Sequence, residues 1–487
     1  MSNDSKFKEI PGSICAPHGF KAAAVFCDIK KLGTGMGSEK GRKHDLALII
    51  SDVPAAVAGM FTTNQVCAPP VKVSVTRAKQ EFVRAIVVNS GNANACTGKQ
   101  GIRDAETMTR LTADAVAAVY DRRNRSNPAL IERRYRRITA NDVLVCSTGR
   151  IGVPMPMKNV GRGIRDCASL IARSASNARD VAEAIMTSDT RRKEIAVEFK
   201  IDRVNVRLGG ISKGAGMIQP RMAVARSVAT ALSRREGTPR PAFAAALRRG
   251  KQSGAATGHA TMLAFITSDI AIKSKLLKAA LEQSVSQSFN RITVDGDMST
   301  NDSVIVLANG LAGNRVIGTA DLRLRIFQEA LNFVCLELAK MMVRDGEGVS
   351  RFITLRVANA RTAYDAELAA RAIANSSLVK TSWCGGDPNW GRILCAVGYS
   401  GAAVDESVVD IGYSRAGEQR VAYGFRAGRP SKTSWQTLTR ITSAPQFEVH
   451  VDLHLGRHDF VLYASDLTED YVAFNKGDIK DPSSLGG

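Results

Sequence analysis

The sequence predicts an α/β fold in which strands and helices stack as α+β layers. Three observations carry that expectation. Apolar β-rich runs alternate with amphipathic helical ones along the first part of the chain. The same alternation restarts after RDGEG at 344–348, marking a second domain. An apolar share of 44% with 23% charged residues belongs to a globular chain with a sizeable core.

Taken in order, LALIISD (46–52), FVRAIVVNSGNANA (82–95) and DVLVCSTG (142–149) read as buried strands running into Gly, Asn or Ser turns. GTGMGSEKG (33–41) lacks a Walker ending and a following helix, so it reads as a hairpin and not as a phosphate loop. Residues 102–120, 276–292 and 321–343 carry helical periodicity. Beyond residue 350, FITLRVANA is expected as a strand and TAYDAELAARAIANSSLV as a helix, with ILCAVGYSGA, QFEVHVDLHL and DFVLYASDL as further strands. Two domains follow: a catalytic core over 1–349 and a smaller α/β domain over 350–487, whose polar tail starts near Asn475. His450, His454 and His458 have the spacing of a helical metal site. They fall in a strictly alternating segment, however, and on a strand residues four apart lie roughly 13 Å from one another, too far to share an ion. No metal site is expected.

The nine cysteines are odd in number, scattered and without Cys-x-x-Cys spacing, so they read as reduced, mostly buried thiols. The start of the chain has neither a signal peptide's apolar core nor a transit peptide's Arg-rich character, and no apolar run approaches a membrane span. A cytoplasmic location is expected. The net charge of +21 sits largely in two segments: 121–137 carries seven Arg against two acids, and 223–259 seven Lys or Arg against one. Neither interleaves the aromatic residues of a nucleic-acid platform, so no nucleic-acid partner is expected.

KGAGMIQP (213–220) and ATMLAFI (260–266) together look like a self-cleaving threonine nucleophile. A hydroxyl in mid-chain has no base of its own. If the Ala260–Thr261 bond breaks, Thr261 gains an α-amine, with a reference pKa of about 7.7 to 8.0, beside its hydroxyl, and one residue becomes both nucleophile and base. Further segments are TTNQVCAPPV (62–71), NSGNANACTG (89–98), VCSTGRIG (145–152), IMTSDT (185–190), SFNRITVDGDMSTND (288–302), VRDGEG (343–348), GGDPNWGRIL (385–394) and DLTEDYVAFN (466–475). In this order and over roughly 400 residues, they resemble the ornithine acetyltransferase family of arginine biosynthesis.

That resemblance implies an N-terminal-nucleophile-like layered αββα core and cleavage into chains 1–260 and 261–487, assembled as a heterotetramer of two α and two β chains. It implies ping-pong transfer of an acetyl group from N2-acetylornithine to glutamate through acetyl-Thr261, with no cofactor. Some members of the family also accept acetyl-CoA, and the resemblance leaves that open here. Residue by residue, Thr148 and Gly149 match the oxyanion pair, which donates to the negative oxygen of a tetrahedral intermediate. Lys213 matches the ligand of the substrate carboxylate, and Thr187 and Glu347 match further substrate contacts. A carboxylate such as Glu347 suits the side-chain ammonium of ornithine. Asn475 matches an active-site Asn supplied by the tail folding back. Two departures are visible: Ser188 stands where the family has a second Thr, with Thr190 nearby to take part of its role, and Lys480 stands where Ser or Thr is usual, with Ser483 and Ser484 close by.

The largest departure lies upstream of the nucleophile, where residues 223–259 intervene between Met222 and Ala260. Two readings stay open: a tolerated extension of the first chain, or a stretch that the functional protein lacks. Ala229–Thr230 imitates the cleavage site without the apolar strand behind it. Rival functions also stay open, namely an N-terminal-nucleophile aminopeptidase of related fold, and an inactive homologue with basic insertions.

Overall fold

The computed structural model describes residues 7–30, 43–124, 138–224 and 261–476. The glycine-rich segment 33–41, most of the basic segment 121–137, and Ala260, Thr230, Lys480, Ser483 and Ser484 lie outside the described residues. The chain forms two compact units, one built from residues up to 290 with 298–339, the other from 291–297 with 340–476.

In the first unit a mixed sheet of ten strands is seen among the described residues. They are β1 (Lys8–Glu9), β2 (Phe20–Val25), β3 (Leu46–Thr62), β4 (Phe82–Asn89), β5 (Val143–Ser147), β6 (Lys193–Ile201), β7 (Val204–Lys213), β8 (Met222–Val224), β9 (Leu263–Ser268) and, after a short β10 (Ile292–Thr293) that belongs to the other unit, β11 (Ser303–Ala308). The path runs β1-β6-β7-β9-β11-β3-β4-β5, with β2 and β8 also on β3. The reading LALIISD captures only the first part of β3, whose pairing with β4 shifts register between Ile50 and Ala55.

That irregularity lets one long strand serve two halves of the sheet. On one side, Leu46, Leu48, Val87 and Val145 pack beneath α2 (Gly98–Asn124) and α3 (Met157–Leu170), through Met108, Val116 and Ile164. The alternate residues Ile49, Ile86, Val88 and Cys146 face inward and share a core with Ile211, Phe265 and Ile305 of β7, β9 and β11. The helices α1 (Pro69–Arg77) and α4 (Ala175–Ala184) close this interior. The far side of the second half is covered by α5 (Ser274–Ser286), lying along β3, and by α6 (Leu322–Arg344), whose Val334 and Leu338 back Gly210. Helix, sheet, sheet and helix are thus the four layers, the αββα arrangement.

The second unit is built on a seven-stranded sheet in the order β10-β17-β12-β16-β13-β14-β15 among the described residues. Its further strands are β12 (Phe352–Ala360), β13 (Asp410–Arg415), β14 (Ala422–Arg426), β15 (Arg429–Pro430), β16 (Gln446–Asp452) and β17 (His458–Ser465). One core gathers Leu355, Val357, Val449 and Leu462 from the sheet with Ile373, Trp383 and Leu438 from α7 (Ala363–Asn375), α8 (Ser377–Cys384) and α10 (Trp435–Thr442).

Five local readings are corrected. ILCAVGYSGA is not a strand: Trp390–Gly398 is helix α9, started by the Asn389 side chain accepting from the Arg392 N–H. A short continuous apolar run suits a buried helix as well as a strand, and the cap decides it. The helix read over 276–292 ends at Ser286, and the one read from TAYDA breaks at Ser376, whose side chain caps α8. QFEVHVDLHL is strand only to Asp452: His454 sits in the following turn at φ +50°, and His458 opens β17. Finally, Ala223 and Val224, read as the start of the insertion, lie in β8, paired with Phe61 and Met60.

Candidate active site

Strand order in the first unit puts the candidate nucleophile where three strand ends meet. β9 lies between β7 and β11, with Lys213 and Ser303 both opposite Leu263. Thr261, two residues before Leu263, is therefore held between the end of β7 and the segment entering β11. It is fully buried. Its φ of +126° is a region that β-branched residues avoid, and holding a residue there costs about 1–3 kcal/mol. Its Oγ1 lies 2.7 Å from Ser299 Oγ. The next N–H, of Met262, donates to Asp302 Oδ1 at 3.1 Å. Asp302 is completely buried, and that burial pushes its carboxyl up to about 7.

The candidate oxyanion pair follows β5. The Thr148 N–H donates to the Asn89 carbonyl at 3.0 Å, continuing the β4–β5 ladder by one residue. Gly149 then turns at φ +128°, and a Cβ there would stand 2.3 Å from the Gly91 carbonyl carbon. Only glycine fits. Asn301 links this turn to the nucleophile's segment: its Nδ2 donates to the Ser147 and Ala93 carbonyls, each at 2.8 Å, while its N–H donates to Ser299 Oγ at 3.0 Å.

Lys213 ties Thr148 to Thr187 and Asp189. Its Nζ donates to Thr187 Oγ1 at 2.6 Å and to Thr148 Oγ1 at 3.3 Å, and lies 3.7 Å from Asp189 Oδ2. Asp189 is in turn 2.6 Å from the Nζ of Lys193, at the start of β6, and accepts the Gly214 and Thr187 N–H groups at 2.7 and 3.0 Å. Burial works against its charge, but Lys193 and Lys213 prevail and hold the carboxyl well below the usual range. Thr148, Thr187 and Lys213 therefore belong to one network, and Asn301 ties the Thr261–Ser299 pair to it through the Ser147 carbonyl. Thr190, read as able to take part of the role of the Thr that Ser188 replaces, is exposed.

In the second unit, Glu347 and Asn475 meet each other. The buried Glu347 accepts from Asn475 Nδ2 at 3.0 Å. Asn475 ends helix α11 (Glu469–Asn475), which the Thr468 side chain caps. Gly348, at φ +65°, lets that helix close on RDGEG, since a Cβ there would lie 2.3 Å from the Tyr471 nitrogen.

Sequence reading passed over Asp189, Ser299, Asn301 and Asp302. All lie inside motifs quoted above, but an acid or amide within a motif carries no sign of its partners until the strands are aligned. A buried hydroxyl, with a second hydroxyl, a glycine turn and a lysine at the neighbouring strand ends, is the kind of arrangement that suits acyl transfer.

Comparison with known proteins agrees with that class. The ArgJ family model matches residues 22–236 and 244–477, its break falling inside the stretch 223–259. The chain belongs to the ArgJ family. It is 40% identical over 466 residues to the arginine biosynthesis bifunctional protein ArgJ of Symbiobacterium thermophilum, covering 96% of this chain and 98% of that one. It is 39% identical over 469 residues to the glutamate N-acetyltransferase of Methanocaldococcus jannaschii, with the same coverage. Among solved structures, the ornithine acetyltransferase of Mycobacterium tuberculosis complexed with ornithine is 33% identical, covering 45% of this chain and 100% of that one, with a TM-score of 0.37.

Proposed function

We propose that this arginine-biosynthesis enzyme moves an acetyl group from N2-acetylornithine to glutamate through an acetyl ester on Thr261, after the chain cuts itself between Ala260 and Thr261. The observation that carries this reading is the convergence on one buried hydroxyl. Thr261 sits in a strained backbone, with Thr148, Gly149 and Lys213 arranged about the neighbouring strand ends. Strain of that kind at a reacting residue is relieved when the bond on its N-terminal side breaks.

In the transfer itself, the freed α-amine of Thr261 takes the proton of its own hydroxyl as Oγ1 attacks the acetyl carbonyl. The Thr148 hydroxyl and the Gly149 N–H stabilise the oxyanion, ornithine departs, and the glutamate amine collects the acetyl group. Lys213 and Thr187 take the substrate carboxylate, and Glu347 with Asn475 receives the ornithine ammonium. Acetyl-CoA is the second donor that fits the word bifunctional in relatives' names. No cofactor enters the scheme, and two copies of each chain are the assembly expected. Among the described residues no helix is long and apolar enough to cross a membrane.

Intact-mass analysis with N-terminal sequencing tests the first half of the reading. Two fragments meeting at Thr261 are expected, whereas one intact chain without transferase activity would leave the inactive-homologue reading in its place.

A further inference from the structure

Self-cleavage poses a problem that transfer does not. Before the bond breaks, the Thr261 nitrogen is an amide and cannot take a proton, so the base must come from elsewhere. The hydrogen bonds around Ser299 narrow the choice. A serine hydroxyl offers two acceptor lone pairs and one hydrogen. The Asn301 N–H occupies one lone pair at 3.0 Å, and Thr261 Oγ1 is 2.7 Å away. With the second lone pair accepting the Thr261 O–H, the single Ser299 hydrogen points onward. The group that Ser299 then serves is Asp302, whose ionised form its hydroxyl and N–H both favour. Asp302 Oδ1 accepts the Met262 N–H, while Oδ2, fully buried, takes no hydrogen bond from the described residues. A buried carboxyl oxygen without a partner is costly, about 1–3 kcal/mol or more, and such a group calls for an explanation, a catalytic role being one.

We infer that Asp302, acting through Ser299, is the general base of the maturation step, and that the Thr261 α-amine replaces it once the chain is cut. The inference rests on the self-cleavage reading above. As Oγ1 bonds to the carbonyl carbon of the preceding residue, its proton passes to Ser299 Oγ and the Ser299 proton passes to the Asp302 carboxylate. Collapse of the tetrahedral species breaks the carbon–nitrogen bond, and the same proton returns by way of Ser299 to the departing Thr261 nitrogen. The product is an ester on Oγ1 and a free amine. Water then hydrolyses the ester, leaving a carboxylate on the first chain and restoring the Thr261 hydroxyl. Lys213 is the charged side chain acting on Asp302 in this unit, and it favours the ionised form that can accept a proton.

The experiment follows the full-length precursor, made by pulse-labelled cell-free synthesis, as it converts to the 261–487 fragment. For the wild type, the cleavage rate is expected to rise with pH and level off above about 7, where the carboxyl is ionised. Asp302→Asn and Ser299→Ala are each expected to slow cleavage about a hundredfold, the usual worth of a general base, and Asp302→Asn to lose the pH-dependent rise. Ser299→Thr, which keeps the hydroxyl, should restore most of the rate. Should Asp302→Asn fail to fold by circular dichroism, Ser299→Ala against Ser299→Thr decides the question. Wild-type rates in both Ala and Asn variants, or an unchanged pH profile in Asp302→Asn, would overturn the assignment while leaving self-cleavage intact. A wild-type chain that never yields the fragment would instead overturn the self-cleavage reading itself.

Discussion

On the proposed reading Thr261 is the residue on which the chemistry converges, and its backbone, at φ +126°, matters as much as its hydroxyl. Replacing it by Ala is expected to abolish both the 261–487 fragment and acetyl transfer, while Thr261→Ser keeps part of each; gel analysis and a coupled acetylornithine assay read the two outcomes. Full transfer by the Ala variant would remove Thr261 from the mechanism. Glu347 is tested by discrimination: Glu347→Gln should impair turnover of acetylornithine far more than use of glutamate, because only ornithine brings a second ammonium. The loss expected for one partner of a buried charged pair is about 2–5 kcal/mol, and equal kcat/KM losses for both substrates would make Glu347 structural. The buried Asp302 also sets a pH dependence of stability. Its folded pKa, about 7, is raised above the unfolded value of about 3.9. The folded state therefore holds an extra proton between those values, and stability is lost as pH rises through that window. Urea midpoints of the uncut Thr261→Ala chain should fall over that window more steeply than those of the same chain carrying Asp302→Asn.

At the scale of elements, the strand ends do the positioning, and this is where sequence reading succeeds and fails by turns. The runs before Ser147 and after Met262 announce buried strands because a strand covered on both faces is apolar throughout. Thr148, Gly149 and Thr261 are therefore visible at strand ends, whereas Lys213, which reads as part of a glycine-rich loop, closes β7. Asp189 is not visible, because its partners Lys193 and Lys213 belong to two different strands, and nothing in IMTSDT reveals that β6 and β7 pair with Lys193 opposite Ser212. Trp390–Gly398 was misread for a different reason: its apolar run is too short for periodicity to choose between strand and helix. The buried Asp189–Lys193 pair gives a direct test. Lys193→Met strips one of two cations from a carboxylate without solvent, and a loss of about 3–5 kcal/mol in unfolding free energy is expected by denaturant titration. A change within experimental error would mean that Lys213 alone suffices to hold that charge.

For the molecule as a whole, alternation makes α+β layers legible, while the αββα order is what the family resemblance implies; the second compact unit takes in 340–476 together with 291–297, a division that a restart near residue 350 does not give. The joint between β8 and the segment before Thr261 is not legible either, because spacing cannot tell the last residues of a strand from the first of an insertion. β8 pairs with β3 through Val224, so the deletion that tests dispensability removes residues 225–259 and keeps the strand whole. That stretch offers few large apolar side chains, with Phe243 its only aromatic. The shortened chain is expected to fold with an unchanged circular dichroism spectrum, to cleave at least as fast as the full chain, and to transfer acetyl groups. A folded deletion variant that no longer cuts itself would make the segment part of the working site.

The neighbours of Thr261 come from far apart in the chain: Thr62 holds the Ser299 carbonyl, Asn301 reaches the Ser147 carbonyl, and Ser299 and Asp302 follow the nucleophile by some forty residues. A nascent polypeptide emerges from the ribosome with Thr261 ahead of Ser299 and Asp302. On the reading proposed for maturation, the scission chemistry is incomplete until those later residues have been synthesised and the strands on either side have closed around them. Truncated translation products would then keep their uncut backbone, and every pair of subunits would descend from one chain that had already passed through its native topology.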